Sequence, residues 1–158
     1  MLVSQGLKVS TVKHAHHEFD VDIPGKDSYE HRQAGAGEVI VSSSRRWALV
    51  HEIGHAPEPV LSDLLRLLSP CDLVLVEGFK TEGHSKLEVH RAEVGKPPLH
   101  PRDPHIVAIA SHVRFPDSGL PWADLNDIAA IADLVLKHAE PLDAVLARLQ
   151  TGYDGTAI

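Results

Sequence analysis

The sequence has few of the features that would assign it to a specialised protein class. It contains one cysteine, Cys71, so no disulfide can form within the chain. Its most apolar helical stretch, residues 128–136, is too short to cross a bilayer and contains Asp133. Residues 1–8 lack the basic and apolar segments of a signal peptide. We therefore predict a cytoplasmic protein with no membrane partner.

Positive charge is also scarce and scattered along the chain. The 15 Lys and Arg residues are outnumbered by 22 Asp and Glu residues, which gives a net charge of −7. Nucleic acids and anionic membranes bind to concentrated basic surfaces, so the composition argues against both as partners. With 158 residues, 43% of them hydrophobic, the chain is long enough to bury its own core. We predict a single domain spanning residues 1–158.

Strand patterns alternate with helix patterns along the chain. Strands are predicted at residues 8–14, 72–77, 85–91 and 105–111, and a hairpin at residues 38–51. Helices are predicted at about residues 27–34, 60–68, 125–139 (with Asp124 as the cap) and 142–149. The second and fourth strands are continuous apolar runs, which are typical of parallel strands covered on both faces. The pattern predicts an α/β fold with a mainly parallel sheet flanked by helices.

The strongest predicted strand ends in Glu77, and Gly78 follows it. Ligands of open parallel sheets bind beyond the carboxyl ends of the strands. A carboxylate at that position suits Mg²⁺ or its water, and a glycine lets a backbone N–H approach a phosphate. A carboxylate that only hydrogen-bonds the turn would fit the same pattern, and spacing alone leaves both interpretations open.

No phosphate-binding P-loop is present in the 158 residues. The sequence Gly25-Lys26-Asp27 resembles its end, but position 20 is Asp where the pattern needs Gly, and position 27 is Asp where it needs Ser or Thr. A polar loop precedes the pair, whereas a P-loop follows a buried strand. A second glycine pair, at positions 35 and 37, lies between a helix and a strand, in the wrong order for a dinucleotide-binding motif.

The loop from His14 to Asp22 is rich in groups that bind metals. His14, His16, His17, Asp20 and Asp22 supply imidazole and carboxylate, the ligands of zinc and other transition metals. A polar loop that lines a phosphate pocket, or one that is only solvated, fits the same residues and is the interpretation we favour over a metal site.

Arg45, Arg46 and Trp47 lie at the predicted hairpin tip. Arg and Trp are frequent anchors of protein interfaces, so the tip is a candidate partner surface. An ordinary basic turn with a core-facing Trp47 is the alternative, and we favour it slightly.

Four motifs follow one another in the sequence, at residues 9–29, 41–49, 73–80 and 86–91. They read VSTVKHAHHEFDVDIPGKDSY, VSSSRRWAL, LVLVEGFK and KLEVHR. This series resembles the molybdopterin-guanine dinucleotide biosynthesis adaptor family (MobB), and the resemblance extends from about Gly6 to Ala139. Several motifs in the right order are far more specific than any one of them alone.

The resemblance implies a P-loop GTP-binding fold that forms a homodimer and has at most weak GTPase activity. It also implies a role in the last step of molybdenum cofactor maturation, in which GMP is attached to molybdopterin. The implied partners are the guanylyltransferase of that step and molybdenum insertion proteins. Residues 39–50 are expected to supply strands for pairing between subunits.

The motifs also imply site residues for GTP and Mg²⁺. Glu77 and Gly78 match a Walker-B-like element near Mg²⁺ and the γ-phosphate, which makes Glu77 the catalytic candidate and, with Asp27, a metal ligand. The family's nucleotide-facing loop corresponds in this sequence to His14, His16, Asp20, Asp22, Lys26 and Asp27. Ala110 and Ser111 match the position at which related NTPases hold the base.

One departure from the family is large. Family members have a strand, a Gly-rich loop and a helix before the segment that matches Leu7 to Ser10, roughly 25 residues that this sequence lacks. We expect their absence to leave strand edges unpaired and to weaken or abolish GTP binding. Three interpretations remain: a truncated GTP-binding adaptor, which we favour, a dimeric scaffold without nucleotide binding, or a metal-binding protein that uses the loop from His14 to Asp22.

Overall fold

The computed structural model describes residues 1–15 and 19–149, and they fall into two compact units. The first unit contains Met1–His14 and the chain from Val60 onward, and the second contains Ala15–Pro59. The strands are β1 (Val9–Lys13), β2 (Glu38–Ser42), β3 (Trp47–His51), β4 (Leu73–Glu77), β5 (Lys86–His90), β6 (Ile106–Ser111) and β7 (Trp122–Ala123). The helices are α1 (Asp27–Gln33), α2 (Leu61–Arg66), α3 (Ile128–His138) and α4 (Leu142–Arg148).

The strands of the first unit pair in parallel, in two separate groups. β1 pairs with β4, while β5, β6 and β7 form a three-stranded sheet in that order. Within the described residues, β4 has β1 as its only partner strand and β5 has only β6. The predicted α/β fold with mainly parallel strands is confirmed.

The core of the first unit forms where α2 and α4 meet β1. Leu61 and Leu65, one turn apart on α2, are 0% and 3% exposed and pack with Val12 and Val145. Each such side chain contributes roughly 2 kcal/mol through the apolar surface that it removes from water. The carboxyl ends of β1 and β4 are therefore anchored on a packed layer.

The second unit is built on the predicted hairpin. β2 and β3 pair antiparallel, with Ile40 opposite Leu49 and Ser42 opposite Trp47, and α1 packs against β2. Trp47 is 69% exposed, so the expectation of a core-facing tryptophan was wrong. The hairpin pattern fixes which residues oppose one another, but it does not decide which face of the hairpin is covered.

The start of α3 also differs from the prediction. Asp127 caps the helix, with its Oδ1 accepting a hydrogen bond from the N–H of Ala130 at 2.9 Å. Asp124, the predicted cap, instead accepts the N–H of Asn126 at 2.8 Å and so closes a turn ahead of the helix. Trp122 and Ala123, which lie in a predicted loop, form β7 against β6, and the guanidinium of Arg114 lies 4.3 Å above the Trp122 ring.

Candidate functional site

In the first unit, the candidate site lies at the carboxyl ends of β1 and β4. The parallel register places Lys13 beside Glu77, and the N–H of His14 donates to the Glu77 carbonyl at 2.8 Å. Lys13 Nζ contacts Glu77 Oε1 at 3.1 Å, with both side chains more than two-thirds exposed. Such an exposed pair contributes little stability and leaves the carboxylate open to solvent. Glu77 therefore presents one accessible carboxylate at the position that the sequence predicts.

The backbone directly after Glu77 takes an uncommon conformation. Gly78 has φ +94° and Phe79, which is not a glycine, has φ +46°. A Cβ atom on Gly78 would lie 2.6 Å from the Cβ of His14, so only glycine fits here. The Phe79 ring stacks on His14, with centroids 4.7 Å apart. Strained residues of this kind concentrate at functional sites, and this turn sets the positions of Glu77 and His14.

In the second unit, Arg32 organises the loop that carries Asp20 and Asp22. Its Nη2 donates to both carboxylate oxygens of Asp20 at 2.9 Å, and its Nε lies 3.3 Å from Asp22 Oδ2. Its Nη1 donates to Glu52 at 2.9 Å, which links the loop to the residue after β3. The Arg32 side chain is only 10% exposed. One guanidinium thus holds three carboxylates that would otherwise repel one another.

Two further contacts fix the same loop. Ser28 Oγ donates to Asp22 Oδ1 at 2.7 Å, and the N–H of Asp22 donates to Asp20 Oδ1 at 2.9 Å. The hydrogen bond from the Asp22 backbone, together with the Arg32 guanidinium, lowers the pKa of Asp20 below its usual value. Asp20 is therefore ionised at neutral pH, and the side chains of Asp20 and Asp22 are both engaged within their own loop.

The remaining predicted residues of this loop lie apart from the Arg32 cluster. Lys26 directly precedes α1 without a side-chain hydrogen bond to its first turn, Asp27 is the first residue of the helix, and both are exposed. Among the described residues, no group of three or more His, Cys, Asp or Glu side chains is arranged to hold a metal ion. His16 and His17 lie outside the described residues, so the metal-binding interpretation of this loop stays a prediction.

Ala110 and Ser111, the predicted base-binding residues, are buried in β6. They are 0% and 1% exposed, with β5 on one side, and the Ser111 hydroxyl accepts the N–H of Val113 at 3.1 Å. Neither side chain is accessible to a ligand in this conformation. Their assignment stays a prediction.

The motif KLEVHR contains a carboxylate whose role sequence reasoning missed. Glu88, on β5, is 8% exposed and accepts the backbone N–H groups of Leu99 and His100 at 2.6 and 2.9 Å. Its Oε2 also contacts the His100 ring at 2.9 Å. Glu88 therefore positions the loop that leads to β6. Nothing in the sequence signalled this role, because the alternation of Leu87 and Val89 predicted that Glu88 faces solvent, whereas the structure buries Glu88 and leaves Val89 61% exposed.

A second pair that the sequence analysis missed lies at the carboxyl ends of β6 and β7. His112 follows β6 and Asp124 follows β7, and His112 Nδ1 lies 3.3 Å from Asp124 Oδ2. The hydrogen bond from the N–H of Asn126 lowers the pKa of Asp124, and the hydrogen bond with His112 lowers it further. Two polar residues that follow neighbouring parallel strands would have been the signal, had the two-residue strand β7 been recognised.

Comparison with known proteins gives consistent results. The family model described as molybdopterin guanine dinucleotide synthesis protein B matches residues 1–112. The molybdopterin-guanine dinucleotide biosynthesis adapter protein of Escherichia coli (strain K12) is 41% identical over 139 residues, which make up 86% of this chain and 79% of that protein. Its Haemophilus influenzae namesake is 39% identical over 139 residues, covering 85% of this chain and 74% of that protein.

Solved structures agree with the sequence relatives. A crystal structure of molybdopterin-guanine biosynthesis protein B superposes with a TM-score of 0.65 at 27% identity, covering 86% of this chain and 84% of the other. The crystal structure of Bacillus subtilis MobB gives a TM-score of 0.66 at 25% identity and covers 88% of this chain and 84% of the other. The predicted P-loop NTPase-like fold is thereby confirmed. With a family model that spans most of its length and two relatives near 40% identity, this chain belongs to the MobB family.

Proposed function

We propose that this protein is an adaptor in the biosynthesis of molybdopterin-guanine dinucleotide, where it assists the guanylyltransferase that attaches GMP to molybdopterin. The observation that carries the proposal is the match of residues 1–112 to the family model, together with relatives that are named for this adapter role. Within the described residues, the carboxylates of the candidate site are paired with basic side chains, Glu77 with Lys13 and Asp20 with Arg32. None of the helices in the described residues has the length and hydropathy needed to span a membrane.

A binding experiment with the purified guanylyltransferase tests the adaptor role. The guanylyltransferase is immobilised, and this chain is passed over it at increasing concentration. Saturable binding that free chain competes away supports the proposal. Absence of binding at concentrations well above the micromolar range, with a correctly folded chain, would overturn it.

The 158 residues by themselves are expected to bind GTP weakly or not at all. The glycine- and lysine-containing pattern that cradles phosphates is absent from the 158 residues. Glu77 supplies a single exposed carboxylate for Mg²⁺, which fits an ion that takes one or two carboxylates and completes its shell with water and phosphate oxygens. Asp20 and Asp22 are already engaged by Arg32. Of these residues, Glu77 suits the metal, and the P-loop that would cradle the phosphates is absent from the 158 residues.

Isothermal titration calorimetry with GTP and Mg²⁺ checks the expected weak binding. We expect no measurable heat below about millimolar GTP, because the 158 residues contain no P-loop pattern to hold the phosphates. ATP with Mg²⁺ serves as the control for nonspecific binding of a triphosphate. A micromolar dissociation constant for GTP would contradict the prediction.

The second unit supports the proposed homodimer. Residues two apart on a strand share a face, so Ile40 lies on the same face of the hairpin as Leu49 and Trp47. These side chains are 67%, 45% and 69% exposed. A contiguous apolar face that contains a tryptophan is typical of protein interfaces, and a second copy of this hairpin would cover it.

The Ile40→Lys substitution tests this interface. A lysine at the centre of a covered apolar face would have to bury its charge, so we expect the variant to be monomeric where the parent chain is dimeric. Light scattering coupled to size exclusion gives the masses. Leu67→Lys, at a comparably exposed position after α2, is the matched control and should leave the dimer intact. A monomeric parent chain would contradict the proposal.

A further inference from the structure

A charged pair lies at one end of the hairpin face that carries Ile40, Leu49 and Trp47. The antiparallel register places Glu38 opposite His51, and His51 Nδ1 lies 2.8 Å from Glu38 Oε1. Residues two apart on a strand share a face, so this pair lies beside Ile40 and Leu49, with Trp47 at the other end. The side chains of His51 and Glu38 are 54% and 48% exposed. The face therefore combines an apolar centre with one ionisable pair.

The area that a stable dimer needs extends over this pair. A specific interface buries about 800 Å² on each partner, which corresponds to a disc with a radius of about 16 Å. Glu38 is two residues from Ile40 and His51 is two residues from Leu49, so the pair lies about 7 Å from the centre of the face. A second copy that covers Ile40 and Leu49 also covers Glu38 and His51. Because a two-fold axis relates the two copies, the dimer buries the pair twice.

The net charge of the pair depends on the imidazole. Histidine gains and loses its charge between about pH 5 and pH 8. With a protonated His51, the covered pair carries no net charge. With a neutral His51, the Glu38 carboxylate is covered without a counter-charge. Covering an unpaired charge costs free energy, and the symmetric dimer incurs that cost at two places.

The neighbouring charges are engaged elsewhere or lie farther away. Glu52 follows His51 but points to the opposite face, where Arg32 of α1 donates to it at 2.9 Å. Arg46, at the hairpin turn, is five residues from His51, which is about 17 Å along the strand. The remaining charged or titratable residues of α1, which packs against β2, are exposed to solvent: Asp27, Glu30 and His31. Within the described residues, His51 is the one ion-pair partner of Glu38.

We propose that Glu38 and His51 belong to the subunit interface and make the homodimer proton-linked. The dimer is tighter when His51 is charged and weaker when His51 is neutral, so its stability is present at mildly acidic pH and is lost as the pH rises. This inference rests on the proposed homodimer and adds a regulatory input to it, the local pH.

Sedimentation equilibrium of the full chain at about pH 6 and about pH 8, at one ionic strength, measures the linkage. We expect the dissociation constant of the dimer to be about 10- to 100-fold higher at the higher pH. His51→Gln removes the titrating group and should abolish the difference. His55→Gln, at an exposed position in the turn after β3, is the matched control and should retain it.

Glu38→Gln separates the charge argument from a purely structural role. Glutamine keeps the shape of the side chain but removes the carboxylate, so the protonated imidazole of His51 becomes the unpaired charge. The pH dependence should then reverse, with the weaker dimer at about pH 6. A parent dimer with the same dissociation constant at both pH values, or a Glu38→Gln dimer with the parent's pH dependence, would overturn this inference and leave the homodimer standing. A chain that is monomeric at both pH values would overturn the homodimer itself, and this inference with it.

Discussion

The Gly78→Ala substitution is expected to lower the free energy of unfolding by about 2–5 kcal/mol. Two effects add: a left-handed conformation costs an alanine about 1–2 kcal/mol, and the new Cβ overlaps its neighbour at a further cost of about 1–3 kcal/mol. The overlap is with His14, whose Cβ would lie 2.6 Å away. The loss is measured by urea denaturation of the chain, with far-UV circular dichroism as the signal for unfolding.

Gly35→Ala is the matched control for this substitution. Gly35 has φ +98°, close to that of Gly78, but a Cβ added there meets no atom within 4 Å. It should therefore show the conformational cost of about 1–2 kcal/mol without the overlap. In a His14→Gly background, which removes the opposing Cβ, the cost of Gly78→Ala should fall to that of the control. Equal costs for the two glycine substitutions in the parent chain would contradict the steric argument.

The Arg32→Met substitution is expected to release the loop that carries Asp20 and Asp22. Methionine keeps the apolar stem but removes the guanidinium that pairs with Asp20, Asp22 and Glu52. Three carboxylates then face one another without a counter-charge, so the melting temperature of the second unit should drop and the amides of residues 19–23 should exchange faster. Differential scanning calorimetry and hydrogen exchange measure the two effects.

The pH dependence of this variant follows from the lowered pKa of Asp20. Because the folded state holds the Asp20 carboxyl below its usual pKa of 3.8, the ion pairs stabilise the fold above that pH and lose their contribution as the pH falls through the folded value. The difference in melting temperature between the parent chain and the variant should therefore be largest near neutral pH and become smaller in acid. Arg66→Met is the control, since Arg66 forms one exposed pair with Asp63 at 3.6 Å. If the melting temperature of the variant is lower by the same amount at every pH, the lost stability does not come from the ion pairs.

The fold was largely predictable because local patterns determine most of its elements. Continuous apolar runs predicted β4 and β6, alternation predicted β5, and two strand runs joined by a polar turn predicted the hairpin. β7 was missed because two residues are too few to show a periodicity. The start of α3 was placed too early because Asp124 and Asp127 are equally good caps by residue type.

The candidate site was predictable in position but not in its contacts. An acid after a buried strand located Glu77, but the partner that it meets depends on the register between β1 and β4. Arg32 went unrecognised because its three partners lie ten or more residues away along the chain. Sequence patterns indicate which elements form, whereas these ion pairs arise only when the elements are packed.

The two tryptophans give each unit a reporter of its own. Trp47 lies in the second unit and is largely exposed, whereas Trp122 lies in the first, partly buried beneath the guanidinium of Arg114. Replacing either tryptophan with phenylalanine would leave a single emission signal that belongs to one unit. Unfolding followed by fluorescence in the two variants would then show whether the units lose their structure in one cooperative transition or in two, without any attached label.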